Sequence, residues 1–222
     1  DRACRDGLRA DVCIVGGGPA GISIAMAFVG TPYQVCLIES GGLDSERDSQ
    51  ALNQGRSIGP QALDPAMSRL RTFGGSTRLW GGGLIPLSTH DMLARPWIPD
   101  SGWPIERAAL DPYYQRAHGI CRVAADGGID DGSFALPPSL QVPPPHAAHV
   151  DNRTGRLSPI DFGSTYLPSL QRAHNIQVLL HANLMELDTT ADAAAVRQAS
   201  IGSLDGRRGS VHARYYVLAA GG

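Results

Sequence analysis

The chain has 222 residues, 42% of them hydrophobic and 18% charged, with a formal net charge of −2. That length holds one large domain or one domain and part of another, and the composition is ordinary for a globular protein. The charge balance excludes an electrostatic case for nucleic acid or an anionic membrane surface, because the 19 basic residues, all Arg, are scattered rather than massed.

Residues 11–15 of 11-DVCIVGGGPAGISIAMAF-28 form a short apolar run that reads as a strand. Ile22, Ala25, Met26 and Val29 then recur at helical spacing, so 19–29 reads as a helix with one buried face. The run 34-QVCLI-38 reads as a second strand, continuously apolar as in parallel sheets. Strand, helix and strand within about 30 residues make a βαβ unit. Cys13 and Cys36 fall inside these strands and read as small hydrophobes. With Cys4 and Cys121 they show no C-x-x-C spacing.

From 41 to 70 the pattern is polar and punctuated by Gly and Pro, which predicts loop with short helical pieces. Segment 71-RTFGGSTRLWGGGLIP-86 is dense in glycine yet carries Trp80 and Leu84, unlike a flexible linker. Residues 104–118 read as a helix start, a Pro break and a second short helix. Segment 126–158, rich in Gly, Pro and Asp, reads as a lid or as a plain surface loop. Residues 166–188 read as helix, strand and strand, and 195–213 as a β-ribbon around 205-DGRRG-209. The last stretch, 215-YYVLAAGG-222, reads as a buried strand running into a glycine turn. No apolar run approaches the ~20 residues of a membrane helix. The N-terminal DRACRDGLRAD has no signal-like apolar core, which leans towards a cytoplasmic location.

The turn Gly16-Gly-Gly18-Pro19-Ala20-Gly21 fits G-x-G-x-x-G. The first glycine allows the tight turn, the second lets a pyrophosphate approach the backbone, and the third allows close helix–strand packing. The anion then lies at the helix N-terminus, where free N–H groups and the helix dipole favour it. Glu39 closes the second strand, placed for a carboxylate to accept from both ribose hydroxyls. The pattern predicts dinucleotide binding. Such turns serve both NAD and FAD, and the fold alone does not choose.

Taken together, 36-CLIESGG-42, 71-RTFGGSTRLWGG-82, 101-SGWPI-105, 111-DPYYQRA-117 and 217-VLAAGG-222 resemble the glucose–methanol–choline (GMC) oxidoreductases. The branch of sugar oxidases and dehydrogenases is the most similar, with 158-SPIDFGSTYL-167 and 182-ANLMEL-187 carrying that likeness. The resemblance implies an α/β, Rossmann-like FAD-binding domain with a parallel sheet and a three-stranded β-ribbon, plus part of a substrate-binding domain. It implies cofactor-binding parts at 1–85 and 166–222 around a substrate or lid region at 86–165. Gly16, Gly18, Pro19, Ala20 and Gly21 would hold the FAD pyrophosphate, and Glu39, followed by Ser40, the adenosine ribose. Arg71, Gly74, Gly75 and Ser76 would follow the pyrophosphate and ribityl chain. Trp80, Gly81, Gly82 and Gly83 would pass the flavin ring, Leu184 would lie near the adenine, and Ala220 and Gly221 would close on the cofactor. Some members link the flavin through a His in the loop before the Trp. Arg78 and Leu79 stand there in this chain, so the FAD is expected to be non-covalent.

The implied reaction moves a hydride from a CH–OH carbon of a sugar or other alcohol to flavin N5 while a His takes the hydroxyl proton; the cofactor carries the redox chemistry. The family's catalytic His pair lies downstream of the AAGG turn, so no catalytic residue is expected here. A longer chain or a second polypeptide would supply it. His90, His118, His146, His149, His174, His181 and His212 sit in no family motif and read as structural or solvent-facing. Trp97 and Trp103 read either as a sugar-stacking surface or as buried anchors. Two rival readings are a flavin monooxygenase or reductase, which needs a second nucleotide motif that this sequence lacks, and an FAD-binding module without catalysis of its own.

Overall fold

The computed structural model describes residues 7–55, 58, 64–123 and 156–221. It divides into two compact units, Asp1–Trp80 with Asp161–Gly222, and Gly81–Ile160. Segment 126–155, with His146 and His149, lies outside the described residues, as does Cys4.

In the first unit, strand β1 (Leu8–Val15) leads through the glycine turn into helix α1 (Pro19–Ala27), and β2 (Val35–Ile38) follows. Two short helices, α2 (Arg47–Ala51) and α3 (Pro65–Ser68), interrupt the loop beyond. In the second unit a two-stranded antiparallel pair joins β3 (Gly83–Leu84) to β4 (Arg156–Leu157). This unit also holds α4 (Thr89–Met92), capped reciprocally by Ser88 and Asp91, and α5 (Asp111–Ile120) behind a 3₁₀ turn at Arg107–Leu110. Back in the first unit, α6 (Phe162–Arg172) precedes β5 (Ile176–Leu179), β6 (Asn183–Thr189), β7 (Val196–Gly202) and β8 (Arg208–Leu218).

These strands form one six-stranded sheet in the order β5-β2-β1-β8-β7-β6. The β5-β2-β1-β8 pairings are parallel, and β8-β7-β6 is an antiparallel meander. Because side chains alternate along a strand, β1 and β2 present two apolar faces. Cys13, Val15, Cys36 and Ile38 form one core with Ala182, Ala199, Ile201 and Val211 of the β6–β8 region. Ile14 and Leu37, alternating with them, are fully buried, and α1 packs on β1 and β2 with α6 beside it. Burial pushes the Cys13 thiol up to about 11, as expected of a cysteine that only fills core space.

Some expectations are corrected. The helix read from 166 begins at Phe162, because Asp161 caps it by accepting from the Ser164 N–H at 2.9 Å. Val29 lies beyond α1 and is exposed. The ribbon to 213 and the buried strand from 215 are one strand: β8 pairs with β7 through Val211 and with β1 from Val211 onward. His212 lies inside this strand. The Tyr216 hydroxyl accepts from the Ala213 N–H at 2.8 Å and donates towards Val211 O at 3.2 Å, bracing β8 where its partner changes. Tyr215 and Leu218 are exposed, so the end of β8 is not buried. Trp97 and Trp103, at 74% and 59% exposure, are not buried anchors.

Candidate functional site

The C-terminal ends of β1, β2 and β8 meet at the glycine turn, which is shaped by contacts that leave no room for side chains. Gly16 adopts φ +108° and donates to Ile38 O at 2.8 Å. A Cβ there would stand 2.5 Å from Ala219 O, and one on Gly21 would stand 1.9 Å from Gly16 O. Gly18 differs. Its φ is −79°, and an added Cβ would meet nothing within 4 Å. Gly18 is also the N-cap of α1 and has no side chain to satisfy the first-turn N–H groups, while Pro19 has none to offer. Ala20 beside it is exposed. The turn is thus packed at Gly16 and Gly21 and open at Gly18, above a helix N-terminus that favours an anion.

Glu39 sits 6% exposed at the end of β2, with its carboxylate directed back to the turn. Its Oε2 accepts from the Gly17 N–H at 2.7 Å, and its Oε1 from the Gly41 N–H at 2.8 Å and the Ser40 hydroxyl at 3.2 Å. Sequence reasoning missed Gly17, an unassigned position of the motif. A side chain there would press within 3.0 Å of both Glu39 and Phe73. The only available signal was a third glycine where two suffice for the turn.

The 71–78 segment lies over this corner. Phe73 N–H donates to Gly42 O at 2.9 Å and Gly74 N–H to Gly17 O at 2.7 Å. Gly74 and Gly75 adopt φ of +100° and +58°, and a Cβ on Gly75 would come within 3.1 Å of Gly18 Cα. Arg71 is anchored by Nε to Asn53 Oδ1 at 2.7 Å and by a terminal nitrogen to Ser40 Oγ at 3.0 Å. That places its guanidinium beside Ser40, on the Glu39 side of the site. The Ser76 hydroxyl accepts from the Leu70 N–H at 3.2 Å and so serves its own loop. Arg78 lies with Nε 2.9 Å from Asp161 Oδ2, near enough for an ion pair though out of line for a hydrogen bond. Trp80 packs edge-on against Phe162, with centroids 6.2 Å apart.

Ala219 N–H donates to Val15 O at 2.7 Å, which brings Ala220 against Gly16. Gly221, at φ +82°, has open space around it. Leu184 is half-buried on β6, packs on the sheet core and pairs with Ile201. Gly81, Gly82 and Gly83 belong to the second unit, where a Cβ on Gly82 would lie 2.3 Å from Ser158 O.

Next to Ser40 is a cleft of about 580 Å³, which sequence reading did not anticipate. Its walls come from the beginning of α2, the β5–β6 connection and the β7–β8 turn, and include Glu46, His181, Asn183 and Asp205. His181 adopts φ +54° and sets Nε2 2.9 Å from both oxygens of Glu46. That hydrogen bond holds the Glu46 carboxyl below its ordinary range. Asp205 is likewise held low, first by its bond from Arg207. Among the described residues, no three His, Cys, Asp or Glu side chains gather as a metal site. Nor is any described helix long and apolar enough to cross a membrane.

Solved structures share this architecture. Pyridoxine 4-oxidase from Mesorbium loti superposes with a TM-score of 0.58 at 21% identity, over 95% of this chain and 49% of that one. The chain has the fold of the half of that oxidase it matches. Aspergillus oryzae RIB40 formate oxidase, from a study of its FAD modification, gives 0.59 at 16% identity over 96% and 45%. A fungal aryl-alcohol oxidase gives 0.57 at 14% over 96% and 46%. The chain thus spans about half the length of the solved structures it matches. No family model and no curated protein matches it.

Proposed function

We propose that this chain is the Rossmann-like, FAD-binding part of a GMC-type oxidoreductase that oxidises a CH–OH group of a small alcohol, with sugars the favoured class. The observation that carries the reading is the contrast within the glycine turn: Gly16 and Gly21 are closed by packing, and Gly18 is open over the N-terminus of α1. A pyrophosphate fits a backbone left bare there. Gly18 and the Ala20 and Gly21 N–H groups would hold the pyrophosphate, Glu39 and Ser40 the ribose, and Ala220 the neighbouring side of the turn. Arg71, fixed to Ser40, would add a positive charge on the ribose side. Gly74, Gly75 and Trp80 would continue along the cofactor, with Gly81, Gly82 and Gly83 beyond them.

Bound FAD would supply the acceptor for the hydride. The chain's own part is to bind and orient it. The 71–78 segment, tied to Gly17 and Gly42, shields the turn, and the buried Glu39 holds the two glycine loops in register. Arg78 is engaged with Asp161 and Leu79 is no nucleophile, so the flavin would dissociate on denaturation. Residues 1–85 and 166–222 would form the cofactor part and 86–165 the substrate side, with the proton-accepting group supplied by further polypeptide. The exposed Trp97 and Trp103 suit a sugar-stacking role on that side.

FAD in the matched formate oxidase supports the cofactor, and the pyridoxine 4-oxidase and aryl-alcohol oxidase among the structural neighbours support an alcohol as substrate. The test is anaerobic mixing of the FAD-loaded protein, joined to the polypeptide that supplies the proton-accepting group, with a panel of sugars and alcohols while following flavin absorbance near 450 nm. Bleaching by one of them is expected. Flavin that binds but is bleached by none would leave a binding module; failure to bind flavin would overturn the reading.

A further inference from the structure

His181 stands in the β5–β6 connection with φ +54°, a left-handed backbone that His and Asn tolerate better than most residues. The main chain here is tied to the end of β2: His181 N–H donates to Gly41 O at 3.0 Å, and Ala182 N–H to Glu39 O at 2.9 Å. The side chain sets Nε2 2.9 Å from both oxygens of Glu46. This pair lies over Gly42, where a Cβ would come within 2.5 Å of Glu46 Oε1 and 2.8 Å of His181 Nε2. The bare glycine leaves room for it.

Glu46 is the N-cap of α2 and also accepts from Ser49 Oγ at 3.1 Å. The same helix carries the anchorage of Arg71. Gln50 Oε1 accepts from the Arg71 N–H at 3.1 Å, and Asn53 Oδ1, just beyond the helix, from Nε at 2.7 Å. Direct contacts thus run from the His181 ring through Glu46 and α2 to the Arg71 guanidinium, which also rests on Ser40 Oγ at 3.0 Å.

An imidazole changes charge between about pH 5 and 8. Across that window Glu46 stays ionised, its carboxyl held below the ordinary range by the bond from His181. The other charged groups around the ring are Arg47 and Asp48 of α2, Asp205 and Arg207 of the β7–β8 turn, Asp44 of the intervening loop and Glu39 of β2. Asp205 is paired with Arg207 at 2.8 Å, Asp44 lies 3.7 Å from Arg78, and Glu39 is held by the Gly17 and Gly41 N–H groups. Arg47 and Asp48 offset each other. The charge on the ring therefore decides the strength of its contact with Glu46.

We propose that His181 is a positioning residue whose protonation latches α2, and Arg71 with it, onto the end of β2. With an imidazolium the contact is a charge-assisted bond; a neutral ring keeps at most an ordinary hydrogen bond, so the latch weakens as the pH rises. The latch itself does not depend on FAD, and its effect on the cofactor rests on the FAD reading above.

The experiment measures amide hydrogen exchange of α2, as protection factors corrected for the intrinsic pH dependence of exchange, at about pH 5.5 and about pH 8, with FAD titrations of the same samples. Protection should fall roughly two- to fivefold between the two pH values, the range for an exposed ion pair, and FAD affinity by a similar factor. His181→Asn suits the left-handed backbone but cannot reach Glu46, and the methyl of Gly42→Ala would push the pair apart. Both variants should show the lower protection at either pH. Protection that ignores pH in the unaltered protein, or that follows pH equally in His181→Asn, overturns the latch. Protection that follows pH while FAD affinity does not overturns its link to Arg71. Absence of FAD binding at either pH overturns the FAD reading, and the protection factors still decide the latch.

Discussion

Alanine placed at Gly18 and at Gly21 should separate ligand binding from folding within a single turn. At Gly21 the new methyl would stand 1.9 Å from Gly16 O, where ordinary carbon–oxygen contact needs more than 3 Å. Both partners are backbone, so α1 and the turn must move apart by over an ångström, in a region where Ile14 and Ile22 are fully buried. Overpacking of this severity costs about 3 kcal/mol or more. With a urea slope of about 2 kcal/mol/M, the unfolding midpoint of Gly21→Ala should fall by roughly 1.5 M. At Gly18 the methyl meets nothing within 4 Å and φ is already −79°. Lower entropy of the unfolded chain favours alanine by about 0.4–1 kcal/mol, and the poorer N-cap costs a similar amount, so stability should stay within about 0.5 kcal/mol. FAD affinity should nevertheless drop by at least about tenfold in Gly18→Ala, since the methyl fills the space through which a phosphate reaches the backbone. Urea unfolding of the apo protein and FAD titration of the same samples measure both. Unchanged FAD affinity in Gly18→Ala would refute the placement of the pyrophosphate, and a Gly21→Ala protein as stable as the parent would refute the close approach itself.

Glu39→Gln removes one acceptor oxygen and adds a donor facing the Gly17 or Gly41 N–H, which should lower apo stability by about 1–3 kcal/mol in chemical unfolding; no loss would mean the bridge between the glycine loops is immaterial. Asn175 is buried, gives Nδ2 hydrogens to Phe28 O and Tyr33 O, both at 2.8 Å, and receives Gly30 N–H at 3.3 Å. Asn175→Ala strands those carbonyls between α1 and β5 and should cost about 2–4 kcal/mol, read from the same unfolding curves. Stability should also fall between pH 9 and 11. The Cys13 thiol, raised from 9.0 to about 11, keeps its proton in the folded state after the unfolded chain has lost it. A contribution of at most about 3 kcal/mol is therefore fully present below pH 9 and lost as the pH rises through 11. The chain has no lysine, but Cys121 and Tyr216, also raised by burial, add to this limb, so Cys13→Ala should flatten part of the slope of stability against pH there; an unchanged slope would show that Cys13 contributes nothing to it.

The βαβ unit and the glycine turn were legible because their signals are local. The apolar runs at 11–15 and 34–38, the helical spacing from Ile22 and the turn glycines each specify backbone within a few residues of themselves. The same holds for the hairpin around 205-DGRRG-209. What the sequence by itself determined was this series of elements and the chemistry of one turn. Tertiary structure decided which distant segments share space. It drew β8 from the meander into the parallel sheet beside β1, turned Glu39 onto Gly17 and tied Arg71 to Ser40. It also built a cleft from residues near 40–49, 181–183 and 203–207. Periodicity tells how a strand divides its faces, but not which strand lies next to it or which side chain finds an N–H more than a hundred residues away. Those pairings are chosen by the packing of the whole sheet and by the need of each buried polar group for a partner.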